Sequence, residues 1–151
     1  MDVKKLNLFL MFKLPSAYLA GVRLKKINKE RSEVEVRYKW INQNPFKSMY
    51  FAVQSMAAEL STGTLLLNAL EREESKFSTL VVDHQGSFTK KATGRIRFVC
   101  QDDEVIEKAI QEAKATGEGV RLSLKSKGVD QQGDQVSSYQ FTWSIKQKKA
   151  Q

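Results

Sequence analysis

The segment MYFAVQSMAAELSTGTLLLNAL, residues 49–70, is the longest apolar run of the chain and contains one charged residue, Glu59. Good helix formers dominate the segment, and its apolar residues fall on every side of a helical wheel. This pattern is typical of a helix that is enclosed by protein rather than lying on a surface. We therefore expect a long central helix with the rest of the chain built around it.

Glu59 is the residue of this helix that packing alone does not explain. Its face of the wheel carries small or polar residues, Ala52, Ser55, Thr62 and Gly63, which leave room for another backbone or a ligand. Burying an ionised carboxylate without partners costs several kcal/mol. Glu59 is therefore expected either to pair with a buried donor or to face a wet cavity. The cavity is the favoured interpretation, because perturbed carboxylates tend to mark sites.

The same segment is long enough to cross a bilayer, at about 1.5 Å per residue against a hydrocarbon core of about 30 Å. Its composition argues against a membrane span. Polar side chains recur along it, among them Gln54, Ser61, Thr64 and Asn68. An acidic residue at mid-bilayer costs on the order of 3 kcal/mol on insertion scales. We expect a core helix and no membrane partner.

Length and composition predict one folded domain over residues 1–151, since the chain has 41% hydrophobic and 28% charged residues. Within residues 1–14, a short apolar run from Leu6 to Phe12 is closed by Lys13. We predict an N-terminal helix packed on the body rather than a cleaved signal. The single cysteine, Cys100, excludes an intramolecular disulfide framework and favours a reducing compartment, so the cytoplasm is the expected location.

The formal charge of +8 suggests an anionic partner: nucleic acid, a membrane surface or a phosphate-bearing small molecule. The basic residues, however, are spread along the whole chain, and many alternate with apolar ones, as Arg95 and Arg97 do. Such alternation is typical of a solvated sheet face. No aromatic-rich basic motif of the single-strand binding type occurs. Nucleic-acid binding therefore rests on charge alone and is not the expected function.

Alternation of apolar and polar residues predicts the first two strands. A strand is expected over residues 22–27, and a half-buried strand over residues 32–40. The second has four residues on its buried face: Val34, Val36, Tyr38 and Trp40. A loop follows, because Pro45 holds Asn44 out of the helical region, and Ser48 is placed to cap the central helix.

Four more strands are expected beyond the central helix. Residues 77–83 predict a largely buried strand, with a bulge or bend at Gln85 and Gly86 and with His84 as an ordinary strand residue. Residues 95–100 predict the return strand.

An amphipathic surface helix follows, begun by Asp102 or Asp103 and closed by Gly117, and two alternating strands then flank a turn within residues 128–134. One curved antiparallel sheet of about six strands around one apolar helix, an α+β fold, satisfies this order most simply.

Particular residues within this order carry a family resemblance. They are Asn44 before the helix, Glu59 fifteen positions later within AAELSTG, the Lys-Lys-Ala turn at 90–92 with Gly94, and the hairpin at 130–134. Together they resemble the hotdog-fold acyl-CoA thioesterase superfamily, in which a curved antiparallel sheet wraps a long central helix. Within it, they are most similar to the thioesterase-like branch that has no assigned reaction.

The resemblance implies a set of catalytic roles. It implies that Glu59 is the general base or nucleophile, that Asn44 places substrate or water, and that backbone amides around Tyr50 and Phe51 polarise the thioester carbonyl. Physical reasoning agrees, since a helix start offers free N–H groups and a positive dipole end to a developing oxyanion. The resemblance also implies a homodimer or higher homo-oligomer with sites between subunits, and acyl-CoA or another acyl thioester as the partner. No cofactor is expected.

One departure from the family pattern favours a second hypothesis. Many catalytic members have His-Gly-Gly where this chain has Tyr50, Phe51 and Ala52, and Phe51 is able to block close approach to the backbone. Tyr50 is expected either to donate its hydroxyl to a carbonyl or to serve as a core aromatic. The alternative function is thus a non-catalytic hotdog protein that binds acyl-CoA or a lipid-like ligand.

The remaining candidate residues concern binding. Substrate contacts are expected from the helix, at Phe51, Ser55, Thr62 and Gly63. Lys90 and Lys91 are either contacts for the phosphates of coenzyme A or a charged turn at the sheet rim. Because His84 and Cys100 are the only residues of their types, no His/Cys metal cluster and no conventional Cys–His catalytic site is expected. No dinucleotide, Walker or serine-hydrolase motif occurs.

Overall fold

One curved antiparallel sheet wraps around a central helix in the computed structural model, which describes residues 2–149. The helices are α1 (Val3–Lys13), α2 (Pro15–Leu19), α3 (Phe51–Leu70) and α4 (Asp103–Thr116). The strands are β1 (Arg23–Ile27), β2 (Ser32–Arg37), β3 (Phe77–Phe88), β4 (Arg95–Cys100), β5 (Val120–Val129) and β6 (Gln135–Gln147). The spatial order is β1-β2-β4-β5-β6-β3, and every neighbouring pair is antiparallel. The predicted α+β architecture is confirmed.

Helix α3 is buried over most of its circumference, because apolar residues occupy several of its faces. Three of its buried polar side chains bond to the sheet. Thr64 Oγ1 lies 2.7 Å from Ser32 Oγ, Ser61 Oγ lies 2.7 Å from Ser126 Oγ, and Trp143 Nε1 donates to Thr62 Oγ1 at 3.1 Å. A satisfied hydrogen bond of this kind contributes about 0.5–1.5 kcal/mol net. These three contacts help to set the position of the helix against β2, β5 and β6.

The start of α3 differs from the prediction. The helix begins at Phe51, with Tyr50 in the N-cap position, and no side chain caps it. Ser48 does not cap α3, because it belongs to a tight turn: its backbone N–H donates to Asn44 Oδ1 at 3.2 Å, and its carbonyl accepts from the Asn44 N–H at 2.8 Å. The first amides of α3 therefore keep no side-chain partner.

The N-terminal helix α1 packs beside β1, the first edge of the sheet. Asp2 caps it by accepting the Lys4 N–H, and Leu10 is fully buried. Asn7 bonds to both backbone groups of Leu24, accepting from its N–H at 3.0 Å and donating to its carbonyl at 2.9 Å. The Asn7 carboxamide thus occupies the hydrogen-bonding groups that a neighbouring strand would otherwise use.

The prediction that β2 continues to Trp40 is wrong. The strand ends at Arg37, and Trp40 begins a short 3-10 turn with 82% of its surface exposed. The buried side chain of Asn42 ends the strand, since its Nδ2 donates to the carbonyls of Arg37 at 2.8 Å and Ala20 at 2.9 Å. Sequence alternation continues past residue 37, but these tertiary hydrogen bonds turn the backbone away from the sheet.

The prediction of a largely buried strand at residues 77–83 is also wrong. Strand β3 is the outermost strand, and its apolar residues Leu80, Val82 and Phe88 are exposed. The bulge lies between Val81 and Asp83 instead of at Gln85 and Gly86. A continuous apolar run is typical of a strand covered on both faces, whereas here no other element of the described chain covers the outer face.

We expect Gly128→Ala to lower the free energy of unfolding by about 1–3 kcal/mol, the usual cost of forcing an atom into a packed core. A Cβ at Gly128 would lie 2.7 Å from the ring of Phe98, which is fully buried, and 2.7 Å from Ser137 Oγ. Chemical denaturation measures the change. Gly119→Ala is the matched control, because the nearest atom to its Cβ is 3.9 Å away, and equal losses in both variants would contradict this packing.

Candidate functional site

A cavity of about 440 Å³ opens beside the first half of α3 and contains the Glu59 side chain in its wall. Four elements form it: the start of α2, the exposed strip of α3, β3 and β6. Its lining is mostly apolar and consists of Leu14, Ser16, Ala17, Phe51, Ala52, Ser55, Met56, Glu59, Leu60, Val81, His84 and Phe141. Glu59 is therefore a carboxylate in a predominantly hydrophobic cavity.

Glu59 is partly buried and is not neutralised by a neighbour. Among residues 2–149, no hydrogen bond or ion pair reaches its carboxylate. Desolvation by burial raises the pKa of the Glu59 carboxyl above its usual range. Of the two expectations, a paired acid or an acid facing a cavity, the structure shows the second. A carboxylate with a raised pKa accepts a proton more readily, which is the property of a general base.

His84 is the residue of this cavity that sequence reasoning missed. The bulge between Val81 and Asp83 shifts the alternation of β3 by one residue, so Val81 pairs with Trp143 and His84 pairs with Phe141. Val81 and His84 consequently both line the cavity, and the His84 ring contacts the Phe141 ring edge-on at 5.5 Å. An unbroken alternation would have turned His84 away. The sequence carries no local signal that locates the bulge.

A second cavity, of about 600 Å³, lies at the N-terminus of α3. Loop residues 44–50 form one wall and residues 88–92 form the other. Asn44, Tyr50, Phe51, Lys90 and Lys91 line it, with Pro45, Phe46, Ser48, Met49, Gln54, Phe88, Thr89 and Ala92. Phe51 is the residue that lines both cavities, so its side chain separates them.

Asn44 organises its own loop. Its Oδ1 accepts from the Phe46 N–H at 2.9 Å, and its Nδ2 donates to Ser48 Oγ at 3.1 Å and to the Met49 carbonyl at 3.3 Å. The side chain does not line the cavity of Glu59 in the same chain. Asn44 therefore shapes the approach to the start of α3 through the turn that it holds.

The N-terminus of α3 presents free backbone donors. The N–H groups of Phe51 and Ala52 have no acceptor in the described part of the chain, and the helix dipole adds positive potential there. Tyr50 is 47% exposed and so is not a core aromatic. Its ring lies against Phe51 at 5.1 Å, and the Phe51 ring lies 6.3 Å from that of Phe88. These three rings line the second cavity together.

Lys90 and Lys91 differ in whether neighbouring carboxylates neutralise their positive charge. Lys90 Nζ donates to Asp130 at 2.6 Å and to Asp134 at 2.8 Å. These contacts raise the pKa of Lys90 and lower the pKa of Asp130. Lys91 is exposed and donates to the Phe46 carbonyl at 3.1 Å, with no carboxylate partner among the described residues. Lys91 is thus better placed than Lys90 to bind an added anion.

The other predicted binding residues lie in two different environments. Ser55 lines the Glu59 cavity, and its Oγ lies within hydrogen-bond distance of the Phe51 carbonyl oxygen, at 3.1 Å, and of the Tyr139 hydroxyl oxygen, at 3.2 Å. Thr62 and Gly63 line neither cavity. Both are covered by the Trp143 indole: a Cβ on Gly63 would lie 3.2 Å from that ring. The small residues on this part of α3 therefore accommodate Trp143.

Two further findings concern cofactors and membranes. Residues 2–149 contain no group of three or more His, Cys, Asp or Glu side chains placed to hold a metal ion. No helix in this range combines the length and hydropathy that crossing a bilayer requires.

The curved sheet around a long helix, with a carboxylate on the uncovered strip of that helix, defines a hotdog-fold protein. Three solved structures illustrate the likeness. A Pseudomonas aeruginosa protein of unknown function, called a probable thioesterase, is 23% identical, with a TM-score of 0.82 and 96% of each chain covered. A Chlorobaculum tepidum protein of unknown function is 16% identical, with a TM-score of 0.82, over 97% of this chain and 94% of the other.

A Haemophilus influenzae thioesterase is 11% identical, with a TM-score of 0.73, over 97% of this chain and 92% of its own. These likenesses confirm the predicted fold. Residues 4–145 match the model of a domain of unknown function, DUF4442, and the chain belongs to that family. No curated protein matches the chain.

We expect Glu59→Gln to stabilise the protein at neutral pH and to lose this advantage as pH falls toward 4. Burial raises the pKa of Glu59 in the folded state, so the native protein holds its proton to a higher pH than the unfolded chain does. The contribution of this proton linkage to stability is complete at pH values below the pKa of Glu59 in the unfolded chain. It is lost as the pH rises through the pKa of Glu59 in the folded protein. Glutamine mimics the protonated acid and avoids that loss.

Thermal melting of both proteins between pH 4 and pH 8 measures this difference. Glu30→Gln, an exposed carboxylate in the turn between β1 and β2, is the control. If the stability difference between Glu59→Gln and the parent stays constant with pH, the pKa of Glu59 is the same in the folded protein and in the unfolded chain.

Proposed function

We propose that the protein hydrolyses acyl-CoA or a related acyl thioester, with Glu59 as the general base. The observation that carries the proposal is the Glu59 carboxylate, which is desolvated, lies in the wall of an apolar cavity and has no hydrogen-bond or ion-pair partner among residues 2–149. The names of two of the structural relatives, a probable thioesterase and a thioesterase, point to the same reaction class. Charged groups in such surroundings tend to serve chemistry.

The reaction requires a base and a donor for the developing oxyanion. Glu59 removes a proton from water as the water oxygen attacks the thioester carbonyl carbon. The carbonyl oxygen becomes an oxyanion, and the free N–H groups of Phe51 and Ala52 stabilise it by donating hydrogen bonds. The C–S bond then breaks, and the departing thiolate takes the proton from Glu59. The raised pKa of Glu59 suits both proton transfers.

We place the complete site between two copies of the chain. Within one chain, Phe51 separates the Glu59 cavity from the cavity at the α3 N-terminus. Strand β3 has an unpaired outer edge along 12 residues and exposes Leu80, Val82 and Phe88. Pairing of β3 with its copy would extend the sheet and cover this surface. In this arrangement, Asn44 and the α3 amides of one subunit complement Glu59 of the other.

Coenzyme A fits the surroundings of the second cavity. Its phosphates would remain at the rim, where Lys91 has no carboxylate partner among the described residues, and its acyl group would enter between the loop and residues 88–92. Lys90 contributes through Asp130 and Asp134, by holding the rim in place rather than by binding phosphate. Cys100 is buried and free, in keeping with the reducing compartment, the cytoplasm, in which we place the reaction.

A second candidate function is supported by Phe51. The Phe51 ring is 55% exposed and lies in front of the helix start, where a smaller residue would allow closer approach to the backbone amides. If the ring stays there when ligand binds, the protein binds an acyl-CoA or a lipid-like molecule without turnover. The two functions share both cavities and differ in whether the carbonyl reaches the amides of Phe51 and Ala52.

The first test is thiol release from short, medium, long and aryl acyl-CoAs, with the parent protein and Glu59→Gln. We expect turnover by the parent and a loss of about 100-fold or more in kcat for the variant, the scale of losing a general base. Glu30→Gln should retain full activity. Ligand binding without turnover in the parent would favour the binding function, and unchanged turnover in Glu59→Gln would remove Glu59 from the mechanism.

The second test is the oligomeric state. We expect a dimer by light scattering, and we expect Val82→Glu to weaken it, because Val82 lies near the middle of β3, where a two-fold pairing would place two like charges close together. Thiol release should fall with the dimer fraction. Lys25→Glu, on the opposite edge strand β1, is the control. A monodisperse monomer with full activity would contradict a site shared between subunits.

A further inference from the structure

Gln54 is a buried side chain whose hydrogen-bonding groups are not used. It is 4% exposed, and its Oε1 atom is buried without a hydrogen-bond partner in the described part of the chain. No hydrogen bond from its Nε2 is present in residues 2–149. A buried amide left unsatisfied costs roughly 1–3 kcal/mol. Packing gives no reason to retain it, since methionine or leucine would fill the same space without this penalty.

The other polar residues buried in α3 show how unusual Gln54 is. Ser61, Thr62 and Thr64 each bond to the sheet, and Asn68 Nδ2 donates to the Asn28 carbonyl at 3.0 Å. These four residues lie in the second half of the helix, where three of them fasten it to the sheet and Asn68 fastens it to the turn between β1 and β2. Gln54 lies in the first half and lines the second cavity.

The position of Gln54 along the helix limits which part of a ligand can reach it. It follows the free amides of Phe51 and Ala52 by two to three residues, or about 3–4.5 Å along the helix axis. When those amides hold the thioester carbonyl of a ligand, the atoms of the acyl group next to that carbonyl would lie beside Gln54. The nucleotide end of coenzyme A carries phosphates that require water and cations, so it stays at the rim near Lys91.

We propose that Gln54 is a specificity-determining residue that hydrogen-bonds a hydroxyl or carbonyl oxygen on the acyl group, close to the thioester. This inference rests on the proposed acyl thioester ligand. A carboxamide offers a donor at Nε2 and an acceptor at Oε1, so it suits a hydroxyl especially well. A binding site that is built to pair a polar group discriminates strongly against a ligand lacking it, because the site's own polar atoms are then unpaired.

The test compares octanoyl-CoA with β-hydroxyoctanoyl-CoA by titration calorimetry, on the Glu59→Gln background to suppress hydrolysis. We expect the hydroxylated thioester to bind at least about tenfold more tightly, as one additional buried hydrogen bond allows. The further change Gln54→Met should abolish this preference by weakening the binding of the hydroxylated thioester alone. Turnover of both thioesters by the protein that retains Glu59 is measured separately.

Thermal stability without ligand provides an independent readout. Because the Gln54 side chain has no hydrogen-bond partner within residues 2–149, Gln54→Met should raise the melting temperature by about 2–4 °C. A gain near 1 kcal/mol gives about this shift in a chain of this size. Thr64→Val is the matched control: it removes a buried hydroxyl that is bonded to Ser32 at 2.7 Å. This control should lower the melting temperature and leave the ligand preference intact.

The outcomes separate this inference from the proposed hydrolysis. The inference about Gln54 would be overturned if the two thioesters bind equally or if neither binds. It would also be overturned if Gln54→Met lowers the melting temperature, because that result would reveal a structural role for Gln54. A preference for the hydroxylated thioester that Gln54→Met abolishes would support it even without turnover, in which case the hydrolase proposal fails and the binding function stands. If both thioesters are hydrolysed with equal efficiency and Gln54→Met does not change this, the hydrolase proposal stands and the specificity role of Gln54 fails.

Discussion

Helix α3 carries apolar residues around most of its circumference, and this constraint determines how the rest of the chain folds. A flat sheet covers one face of a helix, so burying several faces requires a sheet that curls around it. The six strands provide that curl, α1 packs beside the first edge, and α2 contacts α1 and α3. The strip of α3 through Phe51, Ser55 and Glu59 is not fully covered, and the first cavity lies along it.

The two halves of α3 have different polar chemistry. In the second half, the buried hydroxyls and the Asn68 amide bond to the surrounding strands and loops, so they hold the helix in place. In the first half, Glu59 lines the first cavity and Gln54 the second, and neither side chain has a hydrogen-bond partner in the part of the chain that the structure describes. Unsatisfied buried polar groups reduce stability, and proteins retain them mainly at functional sites. The site proposed here therefore coincides with the half of the helix whose polar groups reduce stability.

The burial of strand β3 and the position of its bulge could not be predicted from the local sequence pattern. Its run Leu80, Val81 and Val82 has the composition of a strand covered on both faces, yet no other element of the described chain covers its outer face. A bulge of one residue then turns His84 into the Glu59 cavity. Neither the strand's place in the sheet nor the bulge has a signature in the residues themselves, because both depend on strands distant in the chain.

The sequence by itself determined the central helix, the order and number of strands and the unusual position of Glu59, because these depend on local periodicity and on the cost of burying a charge. Tertiary structure alone decided which partners each polar residue found. Thr62 and Gly63 accommodate Trp143, Lys90 pairs with Asp130 and Asp134, and Gln54 has no hydrogen-bond partner among the described residues. These pairings depend on contacts between residues far apart in the chain, and such contacts cannot be predicted from the spacing of residues along the sequence.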